Sequence, residues 1–142
     1  MMKITEIQDE IVDEFSMFDD ENWDERYQYV IDLGKTLPMI DEKYKTEANI
    51  IKGCQSKVWL HGEVKDSKVI FTADSDAILT KGIIAILIRT FSNQKASDIL
   101  EANTNFIDKI GLKEHLSPTR ANGLVSMVKQ IKMYALAFQS QQ

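Results

Sequence analysis

A chain of 142 residues, 44% of them hydrophobic, is long enough to bury one core without covalent staples, and its single cysteine excludes an intramolecular disulfide and any multi-cysteine metal site. A net charge of −5 and a pI near 5.0, with no block of lysine and arginine, leave no basic footprint for nucleic acid or anionic lipid, so proteins and small molecules are the expected partners. The opening "MMKITEIQDEIVDEF" lacks the basic-then-apolar order of a secretory signal, and the longest apolar run, residues 82–88, is far shorter than the roughly 20 residues that span a bilayer. The expectation is a protein of the reducing cytoplasm, with residues 1–142 forming a single domain.

Ile4, Ile7, Ile11, Phe15 and Phe18 recur at steps of three and four, which predicts a first helix with its acidic residues facing outward. Asn22 and Glu25 make a capping box for a second, with Trp23, Tyr27, Val30 and Leu37 inward and Pro38 as its stop. From Lys57 the period changes to two. Val58, Leu60 and Val64 share one face of a strand, and Trp59, His61 and Glu63 the other. Asp66 and Ser67 then separate it from a second alternating run, residues 69–73, which predicts a hairpin despite the missing Asn-Gly.

The stretch "DSDAILTKGIIAILIRTF" has the β-branched content of a strand but the length of a buried helix, with Asp74 and Asp76 as candidate caps; helix is the reading adopted. Short helices are expected over 97–102 and 104–110, the second closed by Gly111. Ser117 as N-cap and Pro118 at the first helical position open a last helix that buries Leu124, Met127, Ile131, Tyr134 and Phe138. Helices, a small antiparallel sheet, then more helices make an α+β fold.

Candidate chemistry centres on Cys54, in "IIKGCQSKVW". A metal site is disfavoured because Cys54, His61 and His115 lack ligand spacing and fall short of the usual four ligands. A thiol hydrolase needs only Cys54 and a histidine brought near by the fold, His61 or His115, but no local hydrolase signature accompanies it. A buried inert thiol is common for free cysteine. Against it stand Gly53, which admits conformations closed to other residues, and Gln55 and Ser56, whose polar groups suit an exposed loop that could steady a thiolate or sulfur anion.

"GCQSKVW", "DSDAILTKGIIAILI" and "LSPTRANGL", in this order and spacing, resemble the SufE family of sulfur-acceptor proteins, and the similarity extends over nearly the whole chain. The resemblance implies an α+β fold shared with the scaffold proteins of iron-sulfur assembly (SufE/IscU-like). It also implies that Cys54 accepts sulfane sulfur from a cysteine desulfurase, stimulates it, and passes the sulfur to the cluster-assembly machinery. The implied partners are a SufS-like desulfurase, which carries the pyridoxal phosphate, and a SufBCD-like scaffold complex; no cofactor or metal is expected on this chain. One cysteine where the scaffold proteins have several points to transfer rather than cluster assembly.

Within "SPTRANG", Arg120 falls in the first turn of the last helix, where a cation is mildly unfavourable to the helix dipole. Two readings stand: Arg120 stabilises a Cys54 thiolate or persulfide with hydrogen bonds from Asn122, or both residues tie the helix start to the sheet. Gly123 is read as a close-packing position. Trp59 and residues 83–88 are read as core. An apolar wall beside Cys54 would raise its pKa, so the expectation is a thiol retracted in the free protein and exposed when the desulfurase docks.

Overall fold

The computed structural model describes residues 3–18, 23–54 and 56–140, except for the side chains of Lys113 and His115. Helix α1, Ile4–Ser16, buries Ile4, Ile11 and Phe15 as their spacing predicts, with Gln8 buried beside them; Ile7 is half-buried, and Phe18, also half-buried, lies past the helix end. The Lys3 amide donates to Glu6 Oε1 at 3.1 Å and so closes its N-terminus. Helix α2 runs Trp23–Gly34, and Asn22, its expected cap, lies outside the described residues. It stops four residues short of Pro38, and Leu37 is still buried, carried inward by a turn instead of by the helix.

Val30 is buried on α2 as expected, but Trp23 and Tyr27 are only half-buried and Arg26 is buried between them. A buried guanidinium needs acceptors. Arg26 lies 5.0 Å over the Trp23 ring and donates through Nη2 to the Phe18 carbonyl at 3.0 Å and through Nη1 to the Ile110 carbonyl at 3.4 Å.

Two short 3-10 turns, Glu42–Tyr44 and Glu47–Asn49, lead to strands β1, Val58–Lys65, and β2, Lys68–Ser75, which pair antiparallel from Val58 opposite Ser75 to Lys65 opposite Lys68. The hairpin turn places Asp66 at φ 53° and Ser67 at φ 66°, the paired left-handed conformation that matches the twist of the strands. Val58 and Leu60 are buried as their alternation requires, but Val64 on the same face is 43% exposed, because the last three residues of β1 stand clear of the helices.

Helix α3, Ile78–Phe91, settles the ambiguous stretch as a helix, and it is buried on almost every side. Asp74 and Asp76 do not cap it. β2 continues to Ser75, so both aspartates sit at the sheet end, and Ala77 holds the N-cap position without a side-chain bond. α3 packs against α1, α2, β2 and the last helix, α7, Pro118–Ser140. The contact with α2 is the tightest: a Cβ on Gly82 would lie 2.0 Å from the Val30 carbonyl oxygen, and one on Gly34 would lie 3.0 Å from the Gly82 nitrogen. Glycine at 82 lets the two helix backbones touch.

Helices α4, Ala96–Glu101, and α5, Asn105–Lys109, follow the expected short segments, with Gly111 at φ 71° after α5. A further turn of helix, α6, Leu112–His115, precedes α7. Ser117 caps α7, its Oγ accepting the Arg120 amide at 3.3 Å. Leu124, Met127, Ile131 and Ala135 are buried along α7, while Tyr134 and Phe138 are half-buried at the hairpin side. The architecture is α+β, one antiparallel hairpin with helices packed around it.

Candidate functional site

Cys54 sits near the tip of a short loop whose base is held on both sides. The Ile51 amide donates to the Val58 carbonyl at 2.8 Å, so the chain entering the loop pairs with the chain leaving it. Lys57 is fixed three times: its amide donates to Asp76 Oδ1 at 3.0 Å, and its carbonyl accepts from the Asp76 amide at 3.2 Å and from Ser75 Oγ at 2.9 Å. Sequence reasoning assigned Asp76 to the helix; its work is to clamp this loop.

Between these clamps the backbone turns sharply. Gly53 has φ +94°, a conformation that side-chain-bearing residues rarely adopt, and a Cβ there would lie 2.6 Å from Ser126 Oγ on α7. Gly53 therefore meets two demands at once, a left-handed backbone and a close approach to the helix.

The turn delivers Cys54 into a narrow cleft between the loop, α3 and α7, lined by Ser56, Thr80, Ile83, Thr119, Arg120, Gly123 and Met127. The volume left inside, about 10 Å³, is that of a single water position. The Cys54 thiol donates weakly to the Gly123 carbonyl, Sγ to O 3.7 Å, and a Cβ on Gly123 would lie 3.4 Å from Sγ. Close packing at Gly123 is thus packing against the cysteine itself.

Cys54 is half-buried. Burial pushes its thiol pKa up, with no charged group acting against that effect. In this conformation the sulfur is protonated and poorly nucleophilic at neutral pH.

The sequence-derived site residues divide. Arg120 lines the cleft with an exposed side chain, Ser56 lines it from the loop, and Gly53 shapes the turn. Asn122 is exposed on α7 and is not part of the cleft wall. Gln55 and the His115 side chain lie outside the described residues.

His61 occupies the outer face of β1, stacked on the Tyr44 ring at 3.7 Å between centroids, with Nε2 4.0 Å from Glu63 Oε2. Trp59, read as core, is half-buried on the same face, with Lys45 Nζ 5.5 Å from its ring. Among the described residues no histidine and no carboxylate lines the cleft, and no group of three or more His, Cys, Asp or Glu is placed to hold a metal ion.

Thr80 and Thr119 escaped sequence reasoning, while Ile83 and Met127 were read as buried core residues and prove to line the cleft as well. For α7 the signal was available: 119, 120, 123 and 127 share one helical face with Gly123. For Thr80 it was not, because α3 is apolar nearly all round and its period singles out no face.

Residues 9–135 match the SufE family, described as an Fe-S metabolism associated domain. A SufE-like protein of Rhizobium meliloti is 43% identical over 132 residues, covering 89% of this chain and 93% of that protein. A SufE-like protein of Synechocystis is 38% identical over 114 residues, 80% of this chain and 72% of that one. SufE-like protein 1 of Arabidopsis thaliana, chloroplastic/mitochondrial, is 37% identical over 112 residues, 78% of this chain but 30% of its own length. The solution structure of a hypothetical protein from Thermus thermophilus superposes with a TM-score of 0.77 at 18% identity, covering 94% of this chain and 96% of that one, and shows the same fold.

Proposed function

The chain belongs to the SufE family, and from that premise we propose that Cys54 is a sulfur acceptor served by a cysteine desulfurase. The observation that carries this reading is the setting of Cys54: a lone thiol on a loop clamped at its base, tucked into a cleft that holds neither a histidine nor a carboxylate among the described residues. Among the described residues such a site offers no general base for a hydrolase, and His61 is committed to Tyr44 on the outer face of the hairpin. It suits a nucleophile whose reaction partner arrives on another protein.

The step is an exchange at sulfur. The Cys54 thiolate attacks the outer sulfur of the desulfurase persulfide; a bond forms from Cys54 Sγ to that sulfur as the S–S bond to the desulfurase cysteine breaks. The desulfurase cysteine departs as a thiolate, Cys54 becomes Cys–S–SH, and the reaction is redox-neutral. A downstream thiol or scaffold of the iron-sulfur machinery takes the terminal sulfur by the same exchange. The pyridoxal phosphate that liberates sulfur from cysteine belongs to the desulfurase, and no step needs a metal or cofactor here.

Retraction of Cys54 has a consequence for regulation. Protonation and burial protect the thiol from oxidants while no partner is docked, and withdrawal of the loop from the cleft lowers the pKa and frees the nucleophile.

Intact-mass spectrometry after incubation with a cysteine desulfurase, pyridoxal phosphate and L-cysteine tests the reading. The expected result is a gain of about 32 Da per sulfur, reversed by reductant and absent in Cys54→Ser. No gain from several active desulfurases would count against sulfur acceptance. Replacement of His61 and His115 should leave the gain intact, whereas a hydrolase would lose its activity.

A further inference from the structure

Charge is unevenly distributed along this acidic chain. Residues 1–34, which include α1 and α2, hold eleven Asp and Glu against two Lys and Arg, whereas the remainder holds eleven against fifteen. Within the basic remainder, the segment 43–57 that leads into and through the Cys54 loop carries Lys43, Lys45, Lys52 and Lys57 against Glu47 alone. Two of these lysines are committed: Lys45 bonds Glu42 at 3.1 Å and Asp74 at 2.6 Å, and Lys43 lies 5.0 Å over the Tyr44 ring. Lys52 and Lys57, two and three residues from Cys54, are exposed and have no ion-pair partner among the described residues. Arg120, exposed at the cleft wall, adds a third such cation. Asp76, at the base of the loop, has its Oδ1 turned to the Lys57 amide at 3.0 Å.

These cations do not tune the thiol, whose shift has burial as its one cause. A cluster of uncompensated positive charge around a reactive residue, on a protein that is negative overall, acts outward instead.

Resting on the sulfur-acceptor reading, we propose that Lys52 and Lys57 make the rim of the Cys54 loop an electrostatic docking collar for an acidic surface around the desulfurase active-site entrance. The acidic α1 and α2 are repelled by the same surface, so the collar orients the chain as well as attracting it. The partner's chemistry is thereby specified: carboxylates around the mouth of its active site.

The test uses the full-length chain and a desulfurase that loads it in the mass assay, comparing the rate of Cys54 persulfidation for wild type, Lys52→Glu/Lys57→Glu, and a control of equal charge change, Lys65→Glu/Lys109→Glu. Lys65 lies at the far tip of the hairpin and Lys109 on α5, and both are exposed. At about 0.02 M salt the loop variant is expected to load roughly tenfold more slowly than wild type, the two rates converging towards about 0.5 M as screening shortens the field. The control is expected to stay within about twofold of wild type, and alkylation of Cys54 by a neutral reagent should be unchanged in all three.

Equal rates and salt slopes for wild type and the loop variant would overturn the proposal. So would a deficit that persists at high salt, or one shared by the control. A wild-type chain that never gains sulfur sinks the reading beneath it, and normal loading with unaltered salt dependence sinks the collar alone.

Discussion

Gly53→Ala tests what holds Cys54 in its cleft. In the retracted loop Gly53 sits at φ +94°, and the added methyl would meet Ser126 Oγ at 2.6 Å. The backbone term alone costs about 1–3 kcal/mol, because a residue with a side chain is rarely tolerated there. The contact adds less, since Ser126 can rotate away. Both terms act only while the loop is seated, so the substitution raises the withdrawn population by roughly 5- to 150-fold as long as that state is minor.

The assay is second-order alkylation of Cys54 by iodoacetamide, whose rate follows the fraction of time the thiol is out and ionised. Acceleration within that range, with a cooperative unfolding transition whose free energy falls by no more than the same cost of about 1–3 kcal/mol, is the expected outcome. Adding Ser126→Ala should recover the contact part of the effect and leave the backbone part. An unaltered alkylation rate in a folded Gly53→Ala protein would refute the claim that this turn holds the thiol in place.

Gly82→Ala should be the most damaging single-methyl change, about 3 kcal/mol or more in chemical denaturation, because its Cβ would lie 2.0 Å from the Val30 carbonyl oxygen and helix backbones must separate. A loss below about 1 kcal/mol would contradict the α2–α3 contact. The pH profile of Cys54 alkylation should have its midpoint above the value of about 8.5 of an unperturbed thiol, as burial requires, and a midpoint at or below it would show the thiol already solvated.

Acid should weaken the fold through two carboxyls held below their usual range. Arg89 bonds Glu14 from α3, with Tyr29 assisting against the opposing effect of burial. Burial likewise opposes ionisation of Asp74, but Lys45, the Ser75 amide and Lys81 together outweigh it. Both groups bind protons less tightly when folded, so their stabilisation is present above about pH 4 and is lost as pH falls through the lower folded values. Arg89→Gln should be less stable at about pH 6 and lose less stability between about pH 6 and about pH 3 than wild type.

Much of the fold was legible because its amphipathic elements advertise their period. The stripes of α1 and α7 and the alternation of β1 each follow from one buried face. Where an element is buried all round, as α3 is, periodicity loses its power, and the Asp74–Asp76 stretch was assigned to a helix cap when extended β2 pairing claims it. Arg26 defeats pattern reading differently: a cation is inward only because α2 lays it over Trp23 and under the Phe18 and Ile110 carbonyls, partners set by tertiary structure. At the site, the local sequence pointed to Gly53 and Cys54, and the family resemblance pointed to Arg120. The cleft wall did not follow from neighbours in sequence, since Cys54 meets Gly123 across 69 positions.

The clamps at the loop base set a geometric limit on what a partner must do. Ile51 is tied to Val58 and Lys57 to Asp76, so a loop that moves without breaking β1 pairing has only residues 52–56 to rearrange. Six virtual bonds of about 3.8 Å join the Cα atoms of Ile51 and Lys57, and a chain that must return to its base can carry its tip out by about half that contour, roughly 11 Å at most. A desulfurase therefore cannot draw Cys54 into a deep tunnel; it must present its persulfide near its own surface, or bring a mobile persulfide out to meet the loop. If cross-linking or a structure of the complex found Cys54 Cα much farther than this from its base with the Lys57–Asp76 pair intact, the clamps would not be the limit inferred here. Loss of that pair on docking would show that sheet-end unpairing is part of the transfer step.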